Sequence, residues 1–251
     1  MNRNVCFRVS AEIPIFNFPF SIPAPTLASC MRRSIVAGLS LCVLLASCGR
    51  GTRATYQLTF NTEDASRLSE LSLAVTRVVE RMLESMGEEV RGLDIAQRGA
   101  GPELSFTTET AAAAELLRED LTTPFTLTIM RESKQSETPT VSIDAHGGFM
   151  ETGIHQGHLE WVIASEEPDN RGRITLQFNA DGRELMRKVF KQNVGKNIGI
   201  FVRGNLVAKL QVDTAELKDD IIITGIPTVA LARVFADDVN VGLHVQFTPL
   251  P

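Results

Sequence analysis

The chain has 251 residues, a net charge of −5 at pH 7 and a hydrophobic content of 43%. An acidic chain lacks the positive surface that nucleic-acid binding requires, so we expect no nucleic-acid partner. All four cysteines lie within the first 48 residues, which excludes a disulfide-stabilised fold for the rest of the chain. The length allows one large domain or two small ones.

A secretory signal is predicted near the start. Arg32 and Arg33 precede an apolar run over residues 35–45, and small residues follow it up to Cys48. This order predicts a signal peptide over residues 1–47 and acylation of the Cys48 thiol. The run is shorter than the roughly 20 apolar residues of a membrane-spanning helix, and its flanks are not those of a buried helix. We therefore expect an extracytoplasmic protein, lipid-anchored to the cell membrane or the outer membrane.

The first 30 residues are interpreted as an over-extended start. A second Leu-Ala-Ser-Cys sequence ends at Cys30, but residues 13–25 before it contain four prolines and no continuous apolar core. Such a stretch is a poor signal sequence. Met31 is therefore the predicted initiator.

A polar tether at residues 48–54 is predicted to lead into a base domain at residues 55–132. Alternation of polar and apolar residues predicts strands, and apolar spacing of three to four predicts helices. The predicted elements are a strand at 55–60, a helix capped by Asn61 or Thr62 that ends at Gly87, strands at 93–97 and 104–107, a helix at 110–121 and a strand at 125–130. The order βαββαβ predicts a ferredoxin-like base.

Residues 140–242 are predicted to form a smaller α+β head. The predicted strands are 141–143, 159–164, 174–178, 198–202, 206–210 and 221–223, with one helix after Asp181 and another at 228–238. Residues 243–251 are predicted to form a closing strand that returns to the base sheet. The predicted fold class is therefore α+β.

Several short motifs follow one another in the second half. They are residues 174–179 with Gly182, residues 193–200, a hairpin around Gly204, Ile223-Thr224-Gly225, Ala230-Leu231-Ala232 and residues 240–243. Their order resembles the first periplasmic domain of SecD, a membrane subunit that assists protein export. The helix end at Gly87 and the later Gly99 fit the same pattern, so the resemblance covers about residues 55–251. The closing Gly-Leu-His-Val at 242–245 departs from the Gly-Ala-Leu-Pro of the family.

The resemblance implies a non-enzymatic protein without a cofactor. SecD itself has transmembrane helices that couple proton flow to movement, whereas we expect this chain to supply the extracytoplasmic domain alone. In that family the head, here about residues 145–225, is thought to hold the emerging preprotein. The expected partners are exported or unfolded polypeptide, translocase subunits, and a lipid membrane through acylated Cys48.

Met186, Phe190 and Lys196 are the candidate polypeptide-binding residues. A flexible thioether and an aromatic ring suit tolerant peptide binding if they are exposed. The alternatives are that Met186 and Phe190 belong to the core and that Lys196 complements the dipole at a helix end. The carboxylates of Asp237 and Asp238 are expected on a solvated face, since adjacent helical side chains diverge.

No metal site is predicted. Asp144, His146, His155 and His158 form a cluster of metal-ligand residue types, but the glycines around them indicate solvated loops. Two functions remain as alternatives to polypeptide binding in export. One is a structural envelope lipoprotein that binds another protein partner, and the other is a metal-dependent hydrolase that uses the three histidines.

Overall fold

The computed structural model describes residues 51–99, 101–215 and 220–251, together with the backbone of a short strand at Cys6–Arg8. Apart from that strand, the predicted signal peptide lies outside the described residues, as do Met31 and Cys48. Their processing and acylation stay predictions.

The described residues form a mixed α+β fold, which confirms the predicted fold class. The helices are α1 (Ala65–Ser85), α2 (Ala111–Thr122), α3 (Ala180–Gln192) and α4 (Val229–His244), with a short 3-10 turn at Gln156–His158. The strands are β1 (Cys6–Arg8), β2 (Thr52–Phe60), β3 (Arg91–Arg98), β4 (Gly101–Thr108), β5 (Leu127–Glu132), β6 (Val141–Ile143), β7 (Gly147–His155), β8 (Leu159–Glu166), β9 (Gly172–Phe178), β10 (Asn197–Val202), β11 (Asn205–Gln211), β12 (Ile221–Ile226) and β13 (Val245–Pro249).

The base is a four-stranded antiparallel sheet in the order β13-β2-β4-β3. Helices α1 and α2 pack against it through buried side chains at helical spacing, among them Leu71, Val75 and Leu117. Strand β2 begins at Thr52, which pairs with Thr108 of β4. Residues 52–54 therefore belong to the sheet and not to the predicted tether.

The N-cap of helix α1 is Asp64, whereas the prediction placed it at Asn61 or Thr62. The Asp64 side chain accepts hydrogen bonds from the backbone N–H groups of Ser66 and Arg67, at 2.8 and 3.2 Å. The Thr62 hydroxyl instead accepts from the N–H of Asp64. A carboxylate satisfies two of the free N–H groups of the first turn, which explains the position of the cap.

The strand predicted at residues 125–130 does not complete the base sheet. It forms β5, which pairs with β10 and β7 in another sheet. The place beside β2 is taken by β13 from the other end of the chain. The base sheet therefore takes its fourth strand from β13 and not from β5, because local alternation predicts a strand but does not determine which strand it pairs with.

The head contains two further sheets, one in the order β11-β10-β5-β7-β6 and one in the order β1-β12-β9-β8. Side chains from both sheets meet in one core with residues of α3 and α4, for example Ile200, Leu176 and Phe235. A second small cluster of Met130, Phe149 and Phe201 lies apart from this core.

Elements in the second half of the chain also differ from their predictions. Helix α4 continues through Gly242 to His244, whereas the prediction ended it at Asp238. Strand β7 covers residues that were predicted to be loop because of their glycines. Gly147 and Gly148 begin the strand, and Gly153 lies where its register with β5 shifts. Strand β13 consequently starts at Val245, two residues after the predicted closing strand.

Strand β1 pairs in parallel with Ile222–Thr224 of β12. Among the helices of the described residues, none combines the length and the apolar character needed to cross a membrane.

Candidate functional site

A cavity of about 580 Å³ lies where the base meets the head. Its walls are the end of β2, part of α1, the end of α2 with its connection to β5, one side of α4, the start of β13 and the hairpin of β10 and β11. Most of its lining is apolar. The apolar lining residues are Phe60, Val78, Met82, Leu121, Pro124, Phe125, Val202, Val207, Phe235, Val239, Val241, Leu243, Val245 and Phe247. A volume of this size is in the range of pockets that bind small ligands or several side chains.

The cavity lies at the far end of β2 from the predicted lipid anchor. The described chain emerges next to Thr52, while Phe60, at the other end of the strand, lines the cavity. A nine-residue strand spans about 27 Å at roughly 3.3 Å per residue.

Two buried aspartates on α4 face two arginines on α1. Arg77 donates from Nε and Nη2 to the carboxylate of Asp237, with both distances 2.7 Å. Arg81 donates to Asp238 at 2.5 Å and lies 3.7 Å from Asp237. The aspartate side chains are only 7% and 10% exposed, so the expectation of a solvated face is wrong. Both lie in the middle of a helix that packs on α1, and this tertiary contact is not visible in the local sequence.

Asp238 also lines the cavity. Burial raises the pKa of its carboxyl to about 6, with Arg81 opposing the shift. Burial disfavours the charged form of an acid, and the neighbouring carboxylate of Asp237 acts in the same direction. The cavity wall therefore contains a carboxyl group that takes up a proton at mildly acidic pH.

The turn between β10 and β11 places Arg203 at the cavity. Arg203 and Gly204 have φ angles of 49° and 79°, as a two-residue hairpin turn requires. A non-glycine residue in this region is unusual and is held here by two contacts. The Arg203 N–H donates to Thr126 O at 2.9 Å, and its guanidinium donates to Asp120 O at 3.2 Å. Burial lowers the pKa of Arg203 and raises that of Asp120.

Gly242 gives the cavity part of its shape. A Cβ atom at this position would overlap the ring of Phe125, which lines the cavity from the connection between α2 and β5. Helix α4 therefore approaches that connection more closely than any residue with a side chain would allow.

The predicted polypeptide-binding residues lie away from this cavity. Met186 and Phe190 are 0% exposed and belong to the head core, in agreement with the alternative that this face of α3 covers a sheet. Lys196 is half-buried after the end of α3, where its carbonyl accepts from Val212 N at 2.8 Å. Polypeptide binding through Met186 or Phe190 would require α3 to move, and it stays a prediction.

The three histidines that were candidate metal ligands lie in two separate places. His155 and His158 are neighbours with ring centroids 4.2 Å apart, and the Nδ1 atom of each accepts a backbone hydrogen bond in the 3-10 turn. His146 precedes β7 while His155 ends it, so a nine-residue strand separates them. In the described part of the chain, no three His, Cys, Asp or Glu side chains are grouped closely enough to hold a metal ion.

The sequence contains little that would identify this cavity. Its walls come from elements far apart in the chain, and each apolar wall residue also fits an ordinary core pattern. One local signal is the adjacent pair Asp237 and Asp238 in an apolar helix. Carboxylates among apolar residues are seldom buried without partners, so the pair indicates a contact with basic residues elsewhere in the fold.

Comparison with known proteins finds similar solved structures, of which three are described here. One, described as a membrane component SecDF that enhances protein export, is 17% identical with a TM-score of 0.43, and the match covers 80% of this chain and 98% of that one. SecDF in a super-membrane-facing form is 19% identical with a TM-score of 0.44, covering 80% and 30%. SecDF from Thermus thermophilus, a translocon-associated membrane protein, is 13% identical with a TM-score of 0.46, covering 78% and 30%.

All three are SecDF proteins, the kind of protein that the sequence motifs resemble. The chain spans about 30% of the length of two of them. No family model matches the sequence, and no curated protein matches it.

Proposed function

We propose that this chain is a lipoprotein, anchored outside the cytoplasm through Cys48, whose body binds exported or unfolded polypeptide and assists protein translocation without enzymatic activity. The observation that carries the proposal is the semi-open apolar cavity at the end of β2 that lies away from the anchor. The order of the SecD-like motifs supports the same function. We also propose that the four-stranded sheet with α1 and α2 is a ferredoxin-like base, supported by the strand order β13-β2-β4-β3.

The charges around the cavity favour a neutral, apolar guest. Asp238 is paired with Arg81, and Asp120 lies 3.8 Å from a guanidinium nitrogen of Arg203. These opposite charges offset each other, so the walls offer little net attraction for a charged ligand. Apolar side chains gain about 25 cal/mol for each Å² that they remove from water, which favours their entry. An unfolded polypeptide supplies such side chains, whereas a folded protein buries them.

The anchor is tested by labelling cells that express the chain with an alkyne analogue of palmitate. The expected result is label on the wild-type protein and none on a Cys48→Ser variant, which should also leave the membrane fraction. A Cys30→Ser variant is the matched control and should label normally. Label that is absent from the wild-type protein, or that persists in Cys48→Ser, would refute the anchor.

Binding is tested with a permanently unfolded probe, reduced and carboxymethylated α-lactalbumin. Thr123→Trp places a large ring at the cavity rim and is expected to weaken binding at least about fivefold. Val194→Trp is the control, because Val194 is 48% exposed after α3 and does not line the cavity. Equal weakening by both variants, or no binding by the wild-type chain, would contradict the proposal. Co-purification with one stoichiometric partner and no affinity for the probe would instead favour a structural envelope protein.

A further inference from the structure

Among the residues that the structure describes, strand β13 pairs only with β2, so it is an open edge of the base sheet. Its register shows which backbone groups face outward. The N–H of Leu250 donates to Thr55 O, and the N–H of Asn61 donates to His244 O, so the even-numbered residues from 244 to 250 point toward β2. In an antiparallel ladder the groups of alternate residues point the other way. The backbone groups of Val245, Phe247 and Pro249 therefore face the open edge.

At this edge, free hydrogen-bond acceptors outnumber free donors. The N–H of Val245 is already bonded to Val241 O at the end of α4. Pro249 has no N–H group. The edge thus offers three acceptors, the carbonyls of Val245, Phe247 and Pro249, and one donor, the N–H of Phe247. This pattern suits an extended partner that donates at every second residue.

The open edge is continuous with the cavity. Val245 and Phe247 line the cavity. Residues directly opposite each other in a sheet point to the same face, about 4.5–5.5 Å apart. In a strand added to β13, the residues that donate to its carbonyls would therefore direct their side chains to the cavity side.

We propose that an extended polypeptide segment adds to the edge of β13 as an antiparallel strand and places alternate apolar side chains in the cavity. The inference rests on the proposed function and gives it a binding mode. Main-chain pairing is independent of the guest sequence, so it suits clients of varied sequence, while the cavity selects apolar side chains at every second position.

Two features favour this occupant over others. A second copy of β13 is a poor partner, because Pro249 removes a donor from each edge and proline blunts association between edges. An acyl chain has no N–H group and would leave the three outward carbonyls unpaired.

The test uses the purified full chain and a fluorescent seven-residue peptide, acetyl-Ser-Leu-Ser-Leu-Ser-Leu-Ser-amide. When the leucines face the cavity, their N–H groups are those that donate to β13. A peptide with N-methyl groups on its three leucines is expected to bind at least about tenfold more weakly, because three hydrogen bonds are lost. The matched control has N-methyl groups on three serines and is expected to bind within about threefold of the parent.

The outcomes distinguish failure of this inference alone from failure of the proposed function. Equal affinity of the two methylated peptides would overturn the strand addition, while peptide binding itself would stand. Binding of the unfolded protein probe without binding of the parent peptide would also overturn the strand addition, while the proposed function would stand. If neither binds, both proposals fail. If a fluorescent fatty acid fills the cavity and no peptide displaces it, the cavity is a lipid site and the inference is also overturned.

Discussion

The Asn240 side chain pairs with both backbone groups of Val162. Its Oδ1 accepts from the N–H of Val162 at 2.9 Å, and its Nδ2 donates to the carbonyl of the same residue at 2.8 Å. Val162 lies on β8, the edge strand of its sheet, and Asn240 lies on α4. One buried amide thus replaces the missing neighbouring strand and joins α4 to the head.

We expect Asn240→Ala to lower the free energy of unfolding by about 2–4 kcal/mol, because it leaves two buried backbone groups without partners. The measurement is urea denaturation followed by circular dichroism. Gln192→Ala, at the exposed end of α3, is the control and should change stability by less than about 0.5 kcal/mol. A similar small loss for both variants would show that water replaces the amide.

Local patterns predicted most helices and strands, whereas contacts between distant elements were not predictable. The periodicity of α1 is a property of adjacent turns, so its apolar face could be found without the fold. The pairing of Asn240 with Val162 joins residues 78 positions apart and leaves no local signal. The burial of Asp237 depends on Arg77, which lies 160 positions earlier in the chain. The cavity likewise could not be predicted from local sequence, because it forms only when α4 and β13 pack against the base.

The stability of the protein should depend on pH through Asp238. Its pKa is raised from 3.8 to about 6, so the native state binds a proton more tightly than the unfolded state. The contribution of this group to stability is present below pH 4 and is lost as the pH rises through 6. The shift of about two units corresponds to about 3 kcal/mol. Wild type should therefore gain up to about 3 kcal/mol relative to Asp238→Asn as the pH falls from 7 to 4.

Urea denaturation of both proteins at several pH values between 4 and 7 measures this difference. Taking the difference cancels the pH dependence that comes from groups that do not interact with Asp238. Gln192→Ala, at the exposed end of α3, replaces one uncharged side chain with another, so this control should run parallel to wild type across that pH range. Parallel curves for Asp238→Asn and wild type would show that Asp238 titrates normally.

A substitution at Phe178 tests whether its ring fills the head core. Its ring is 0% exposed at the end of β9 and packs among residues of both head sheets. Phe178→Ala should lower the free energy of unfolding by about 3–5 kcal/mol, the usual loss for a buried aromatic ring. Val194→Ala removes an apolar side chain that is 48% exposed and should cost less than about 1 kcal/mol. A loss at Phe178 within the error of the unfolding measurement would mean that the ring does not fill the core.

Gly242 and Phe125 should be energetically coupled, because a methyl group at Gly242 would occupy the space of the Phe125 ring. We expect Gly242→Ala alone to destabilise the protein by about 1–3 kcal/mol through this overlap. In a Phe125→Ala background the same change should be neutral or stabilising by up to about 1 kcal/mol, since alanine is the better helix former. Urea denaturation of wild type, both single variants and the double variant measures the coupling. A sum of the single effects equal to the double effect would show that the ring moves aside without cost, so that the cavity wall formed by Phe125 is not fixed by α4.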